Sequence, residues 1–160
     1  MMTPNAEPQC HVRRMRVEDI QQVMAIAAAL KDAPHWTEAV YQAALDPANA
    51  PRRVALVALD EPSGLVTGFA MASLVPPQAE LETIAVKADA QRKGIGSVLI
   101  EELTGELRAA MVSEVLLEVR ASNHPARAFY GAVGWREKGT RPRYYADPEE
   151  DAVLMSLELG

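Results

Sequence analysis

The chain has 160 residues, of which 49% are apolar and 24% charged, a balance typical of one globular domain. Sixteen Lys and Arg residues against 22 Asp and Glu residues give a net charge of -6, which argues against phosphate-driven binding of nucleic acid and favours a cationic partner. Cys10 is the only cysteine, so an internal disulfide is excluded, and the scattered histidines lack the spacing of metal ligands. We therefore expect no metal site.

The N-terminal stretch MMTPNAEPQC is short and polar and lacks the apolar core of a signal peptide. No apolar run approaches the roughly 20 residues that cross a bilayer. We expect a flexible tail over residues 1–9, a single domain over residues 10–160, a cytoplasmic location and no membrane partner.

The first half of the chain is predicted to contain a strand, two helices and three strands. The first strand is expected from Cys10 to Met15, and a helix opens at 17–19, where two acids favour the positive end of the helix dipole. Pro34 is expected to stop this helix, and Thr37 is a candidate N-cap for the second. Apolar runs between turn residues then predict strands over 53–59, 65–74 and 80–86.

The second half alternates between helical and strand patterns. A helical stripe covers about 94–110, and a second helix covers 125–133 with Asn123 as a candidate cap. Strands are predicted over 114–120, 135–138 and 152–158. The whole order predicts an α/β fold with a mixed central sheet of about seven strands and four helices.

The hexapeptide QRKGIG lies between a predicted strand and a predicted helix. The free N–H groups at a helix start favour an anion, Gly94 and Gly96 permit close approach and positive φ, and Arg92 and Lys93 add positive charge. A dinucleotide-binding loop is excluded because Leu99 stands where its third glycine would be. The composition indicates either a phosphorylated ligand or a loop that uses glycine for its geometry alone.

The same hexapeptide resembles the Gln/Arg-x-x-Gly-x-Gly/Ala signature of the GCN5-related N-acetyltransferase (GNAT) family. The resemblance implies the GNAT fold and acetyl-coenzyme A as co-substrate. It implies that the strand before the loop pairs with the pantetheine arm and that the loop holds the pyrophosphate. The implied cofactor-binding residues are Ile84, Ala85, Val86, Gln91, Arg92, Lys93, Gly94, Ile95, Gly96 and Ser97.

Two downstream segments, 117–135 and 141–155, resemble the RimI-type N-terminal alanine acetyltransferases of bacteria. This resemblance implies transfer of an acetyl group to the α-amine of a protein, such as a ribosomal protein. It also implies that Trp36, Tyr144 and Tyr145 bind the acceptor, although each could be an ordinary packing aromatic. Trp135 replaces the usual phenylalanine, and Pro142 interrupts the arginine–tyrosine segment, so the acceptor is less well defined than the cofactor.

Acetyl transfer to an amine needs a base, stabilisation of an oxyanion and a proton for the thiolate. Glu118 is the candidate base, because it lies in an apolar run that reads as a strand covered on both faces, where an unpaired carboxylate is costly. The resemblance assigns it the same role, Tyr130 the role of acid and Asn123 a contact with the pantetheine arm. A glutamate paired with arginine, a packing tyrosine and a plain N-cap are the alternatives.

Two other functions are compatible with these residues. The acceptor could be a lysine or a small-molecule amine, because the fold does not define the acceptor. A non-catalytic acyl-coenzyme-A-binding module is the third alternative, and such a module would not need both Glu118 and Tyr130. The acidic run at 147–151 is either a solvated loop or a feature that attracts a cationic N-terminus.

Overall fold

The computed structural model describes residues 10–160, so the predicted tail over residues 1–9 lies outside the described residues. One seven-stranded sheet, ordered β1-β2-β3-β4-β5-β7-β6, forms the centre of the molecule. Its strands are β1 (Cys10–Arg14), β2 (Arg52–Asp60), β3 (Val66–Val75), β4 (Gln78–Val86), β5 (Glu114–Arg120), β6 (Arg136–Ala146) and β7 (Glu149–Glu158). The α-helices are α1 (Ile20–Ala28), α2 (Glu38–Leu45), α3 (Ile95–Ala109) and α4 (His124–Ala132).

The predicted order of elements and the mixed seven-stranded sheet are confirmed, but several boundaries were wrong. The first helix ends at Ala28, well before Pro34. The sixth strand covers Arg136–Ala146 rather than 135–138, and the segment predicted as a loop after Tyr145 is mostly strand, with only a short turn at 147–148. Pairing with β7 stabilises this polar, exposed strand, and its sequence has no apolar alternation that would have predicted it.

Two apolar clusters cover opposite faces of the sheet. Along β2, Leu56 and Ala58 belong to the cluster under α3, whereas Val57 belongs to the cluster that also contains residues of α1 and α2. This alternation follows from the two-residue period of a strand. It explains why the apolar runs of β2 and β3 are almost continuous.

Strand β5 is covered on one face only, which corrects the expectation of two covered faces. Val115, Leu117 and Val119 are buried, whereas Leu116 and Glu118 alternate with them and are only partly buried. Helix α1 packs mainly against β3 and β4, and helix α2 packs mainly against β2. The face of β5 that bears Leu116 and Glu118 therefore stays partly exposed.

Strands β4 and β5 run parallel but pair only at their first residues, where 78–80 of β4 face 114–116 of β5. A register shift in β4 follows at once, because Met71 pairs with Thr83 while Ala72 pairs with Leu81, which leaves Glu82 as an extra residue. A bulge of this kind bends its strand. Beyond it the two strands diverge, and the edge of β4 that faces β5 has no strand partner.

Between residues 10 and 160, no helix is both long enough and apolar enough to cross a membrane. In the same range, no three or more Cys, His, Asp or Glu side chains form a group that could hold a metal ion.

Candidate active site

The divergence of β4 and β5 opens a cavity of about 340 Å³. Its walls come from both strands, from the segment that follows α1 and from α4. Glu118, Asn123, Tyr130 and Tyr145 line it, so the fold brings together four residues that the sequence singled out from separate segments. The strand residues Glu82, Thr83, Ile84, Ala85, Val86, Val119 and Arg120 line the same cavity.

A second cavity, of about 570 Å³, continues from the first along the QRKGIG loop. Tyr130 and the end of β4 line both cavities, so they form one connected cleft. The loop contributes most of its predicted residues to this cavity: Gln91, Arg92, Gly94, Ile95, Gly96 and Ser97. Lys93 is exposed and does not line it.

The loop leaves the N-terminus of α3 open. Thr37 and Asn123 cap α2 and α4 with their side chains, but the start of α3 has no side-chain cap. Its first N–H groups have no partner within the helix, because they precede the first turn. A helix start of this kind favours an anion.

The two glycines of the loop serve different purposes. Gly94 has a φ of 79° in the left-handed region, which a glycine adopts without strain. Gly96 lies inside α3 and does not adopt the positive φ that glycine permits. A Cβ at Gly96 would lie 3.1 Å from Cζ of Phe129, so the missing side chain allows α4 to pack closely against α3.

Other loop residues hold the structure together. The Nε2 atom of Gln91 donates a hydrogen bond to the carbonyl of Val86, 3.0 Å away, and so ties the loop to the end of β4. The side chain of Ile95 is buried in the core under α3. Any ligand contact at Ile95 therefore involves its backbone.

Glu118 is 15% exposed, and its Oε1 atom lies 3.4 Å from Nη1 of Arg141. The hydroxyl of Tyr144 is also close, since the Glu118 carboxylate is the main cause that raises the pKa of Tyr144 to about 12. Both neighbours come from β6. Glu118 therefore agrees with both interpretations of the sequence: it is paired with an arginine, and it also lines the cleft.

Tyr130 packs against Phe129 and Trp135, with ring centroids 5.4 and 5.5 Å away. Burial is the main cause that raises the pKa of its hydroxyl above the usual value, and the nearby Tyr145 acts in the same direction. The phenol therefore keeps its proton at neutral pH. Tyr130 lines both cavities of the cleft.

Asn123 uses both ends of its side-chain amide. Its Oδ1 atom accepts a hydrogen bond from the N–H of Ala126 at 3.2 Å and caps α4. Its Nδ2 atom donates to Oδ2 of Asp32 at 3.4 Å, which links the segment after α1 to the start of α4. Asp32 lines the first cavity and was not singled out from the sequence, because no periodic or motif signal distinguishes it.

The three predicted acceptor-binding aromatics occupy different places. Tyr145 lines the first cavity. The guanidinium carbon of Arg120 lies over the Tyr145 ring, 4.3 Å from the ring centroid. Tyr144 is 48% exposed and lies beside Glu118 outside that cavity. Trp36 packs edge-on against Tyr41, 5.5 Å away, and lines neither cavity of the cleft, so its contacts match the packing alternative.

Most of the acidic run at 147–151 is engaged within the protein. Glu150 pairs with Arg120 at 3.3 Å and accepts a hydrogen bond from the N–H of Ser122. Glu149 pairs with Arg143 at 3.2 Å, and Asp151 accepts from the N–H of the same arginine. These contacts fix the hairpin between β6 and β7 and weaken the case for this run as an attractant.

A cleft between two diverging parallel strands, with an open helix start at one end and a carboxylate and a protonated phenol at the other, suits a coenzyme-A-dependent acyltransferase. Residues 15–135 match the model of the acetyltransferase (GNAT) family, and the chain belongs to this family. The family predicted from the glycine loop is thereby confirmed, and the chain is an N-acetyltransferase.

The relatives of this chain include alanine N-acetyltransferases of a ribosomal protein. The chain is 41% identical over 100 residues to the [ribosomal protein bS18]-alanine N-acetyltransferase of Escherichia coli K12, which covers 61% of this chain and 68% of that protein. The crystal structure of the Escherichia coli ribosomal-protein-S18-alanine N-acetyltransferase superposes with a TM-score of 0.81 at 31% identity, over 94% of each chain.

A more distant solved structure is Chaetomium thermophilum Naa20 in complex with a bisubstrate analogue. It has a TM-score of 0.80 and 27% identity over 92% of this chain and 86% of that one.

Proposed function

We propose that this enzyme acetylates the N-terminal α-amine of a protein, with acetyl-coenzyme A as donor, Glu118 as general base and Tyr130 as general acid. The observation that supports this most directly is that both side chains line the same cavity beside the free edge of β4. The bS18-alanine N-acetyltransferases among its relatives support the choice of acceptor.

The residues of the cleft fit acetyl-coenzyme A. The uncapped start of α3, with Arg92 beside it, provides N–H donors and positive charge for the phosphates. The free edge of β4 at Ile84, Ala85 and Val86 offers backbone groups to the amides of the pantetheine arm. When bound, this co-substrate supplies the thioester that the amine attacks.

Glu118 is placed to take the proton that the acceptor amine loses. An α-amine has a pKa of about 8, so roughly 10% of it is already neutral at pH 7, whereas a lysine amine is almost fully protonated. A single carboxylate without a histidine partner therefore suffices for an N-terminus. Tyr130, protonated at neutral pH, donates its proton to the departing sulfur.

The acceptor would enter over the open face of β5. Tyr145, held under Arg120, forms the wall of the cavity on that side, and Tyr144 lies next to the base. We assign these two tyrosines to the binding of the acceptor backbone. Trp36 would act on the acceptor only through its support of the segment that follows α1.

The proposal is tested by acetylation assays on a peptide panel with free N-terminal Ala, Ser or Met. Matched peptides with a blocked N-terminus and an internal lysine serve as controls, and mass spectrometry of fragments locates the acetyl group. We expect modification of the α-amine in the free peptides and none in the blocked ones. Acetylation of the internal lysine at an equal rate would contradict the proposed acceptor and favour the lysine alternative.

A further inference from the structure

A third cavity, of about 220 Å³, lies on the open face of β5 and β7. Glu118 lines this cavity and also the cavity between β4 and β5, so the two adjoin at the proposed base. The acetyl-transfer step does not use the third cavity. Its main lining side chains are Glu80, Leu116, Glu118, Lys138, Arg141 and Leu154.

The charges around this cavity do not cancel. Nζ of Lys138 lies 2.6 Å from Oε2 of Glu114, and Arg141 pairs with Glu118 at 3.4 Å. Glu80, on β4, has neither a hydrogen bond nor an ion pair from its side chain within the described part of the chain. Each of the two cations thus has its own carboxylate, and one negative charge remains at Glu80.

The surroundings of Glu80 disfavour its charged form while no cation is bound. Partial burial, followed by the nearby carboxylates of Glu118 and Glu82, raises the pKa of Glu80, and Arg141 only partly opposes this. A carboxylate in such a place gains from a cation supplied by a ligand.

The floor of the cavity is apolar. Leu116 on β5 and Leu154 on β7 are partly buried. Because β5 and β7 are paired neighbours, both side chains lie on the same face of the sheet. An apolar floor next to a free carboxylate suits the side chain of Lys or Arg, whose methylene groups pack on apolar surface while the charge stays at the rim.

We propose that this cavity binds a Lys or Arg side chain of the acceptor peptide, from one of the residues that follow the reacting α-amine, and that Glu80 pairs with its charge. This inference rests on the proposed function, because it places the α-amine at Glu118. Glu80 would then determine the specificity for the acceptor. The cavity would also be the place where the cationic partner favoured by the acidic composition binds.

The test compares acceptor peptides that carry Arg or the neutral isostere citrulline at position two, three or four. Neither side chain is an amine, so acetylation reports the N-terminus alone. For the wild-type enzyme we expect kcat/KM to be roughly fivefold higher with Arg than with citrulline at one of these positions, the upper range of a solvated ion pair. In Glu80→Gln we expect this ratio to fall to about one, since only the charge is removed.

Glu102→Gln is the matched control, because Glu102 is exposed on α3 and its loss changes the net charge equally; the Arg-to-citrulline ratio should stay at its wild-type value. Glu80→Lys should reverse the charge preference of the cavity. With this variant, kcat/KM should be higher for a peptide with Glu than for one with Gln at the same position.

A wild-type ratio of one at all three positions, with the peptides still acetylated, would overturn the pocket and leave the proposed function standing. A failure of every free-N-terminus peptide to be acetylated would overturn both. An unchanged ratio in Glu80→Gln would show that another group binds the cation, and would also overturn the assignment.

Discussion

Glu118 on β5 and Arg141 on β6 form an ion pair of 3.4 Å that crosses the intervening strand β7. The pair holds the carboxylate above the open face of β5, between the cleft and the third cavity. Arg141 is 57% exposed, so it can move aside when a cationic acceptor arrives. Glu118 can therefore be stably placed in the free enzyme and still receive an ammonium group.

Replacing Glu118 with Gln should lower kcat by about 100-fold at neutral pH, because the proton of the acceptor amine loses its base. The Kd for acetyl-coenzyme A, measured by calorimetry, should stay at its wild-type value, since Glu118 does not line the cavity beside the QRKGIG loop. Glu114→Gln is the control: it lies on the same face of β5, and its partner is Lys138. Wild-type turnover in Glu118→Gln would eliminate Glu118 as the base.

Replacing Tyr130 with Phe should reduce kcat by about 100-fold while the fold is retained, because the ring still packs between Phe129 and Trp135. In the proposed mechanism the acid form of Tyr130 is the active one, and burial raises its pKa above the usual value of about 10. The wild-type rate should therefore show no decline from this group between about pH 7 and 9.5. If the wild-type rate falls between about pH 7 and 9.5 and this fall is absent in Tyr130→Phe, the assignment of Tyr130 as the acid is contradicted.

The sequence predicted the order of elements because apolar periodicity and turn residues mark them clearly. It also identified most of the loop residues that line the second cavity, since the glycines and cations of the loop are contiguous. It could not predict the Glu118–Arg141 pair or the place of Glu80 beside Glu118 in one cavity, because β4, β5 and β6 come together only through the sheet topology. The length of β6 was missed for a related reason, since its pairing with β7 compensates for a polar sequence.

Replacing Gly96 with Ala should weaken binding of acetyl-coenzyme A, because the new Cβ would lie 3.1 Å from Phe129 and would push α4 away from the loop. A bulky change, Gly96→Trp, should abolish binding. Both effects are measured as Kd by calorimetry, and full affinity in Gly96→Trp would refute the assignment of the loop.

Gly105→Ala is the control within the same helix, because a Cβ there would meet nothing within 4 Å. It should leave Kd unchanged and raise the free energy of unfolding by about 1 kcal/mol, the difference in helix propensity between glycine and alanine.

Asp19 should contribute to stability in a pH-dependent way. Burial disfavours its charged form, but hydrogen bonds from Arg13 and from the backbone of Arg16, together with their charges, prevail and lower its pKa. The salt bridge to Arg13, 2.7 Å long, joins β1 to the start of α1. Asp19→Asn should therefore lower the free energy of unfolding by about 2 kcal/mol at pH 7, because a partly buried guanidinium loses its charged partner.

The sign follows from the lowered pKa. The stabilisation is complete above the unfolded-state pKa of about 3.9 and disappears as the pH falls through the lower folded-state value. Urea unfolding at pH 7 and at about pH 2.5 should show the gap between wild type and Asp19→Asn closing in acid. Asp89→Asn, whose side chain is 76% exposed and 3.9 Å from Lys87, should differ from wild type by less than about 0.5 kcal/mol. A gap for Asp19→Asn that persists in acid would assign the effect to packing instead of charge.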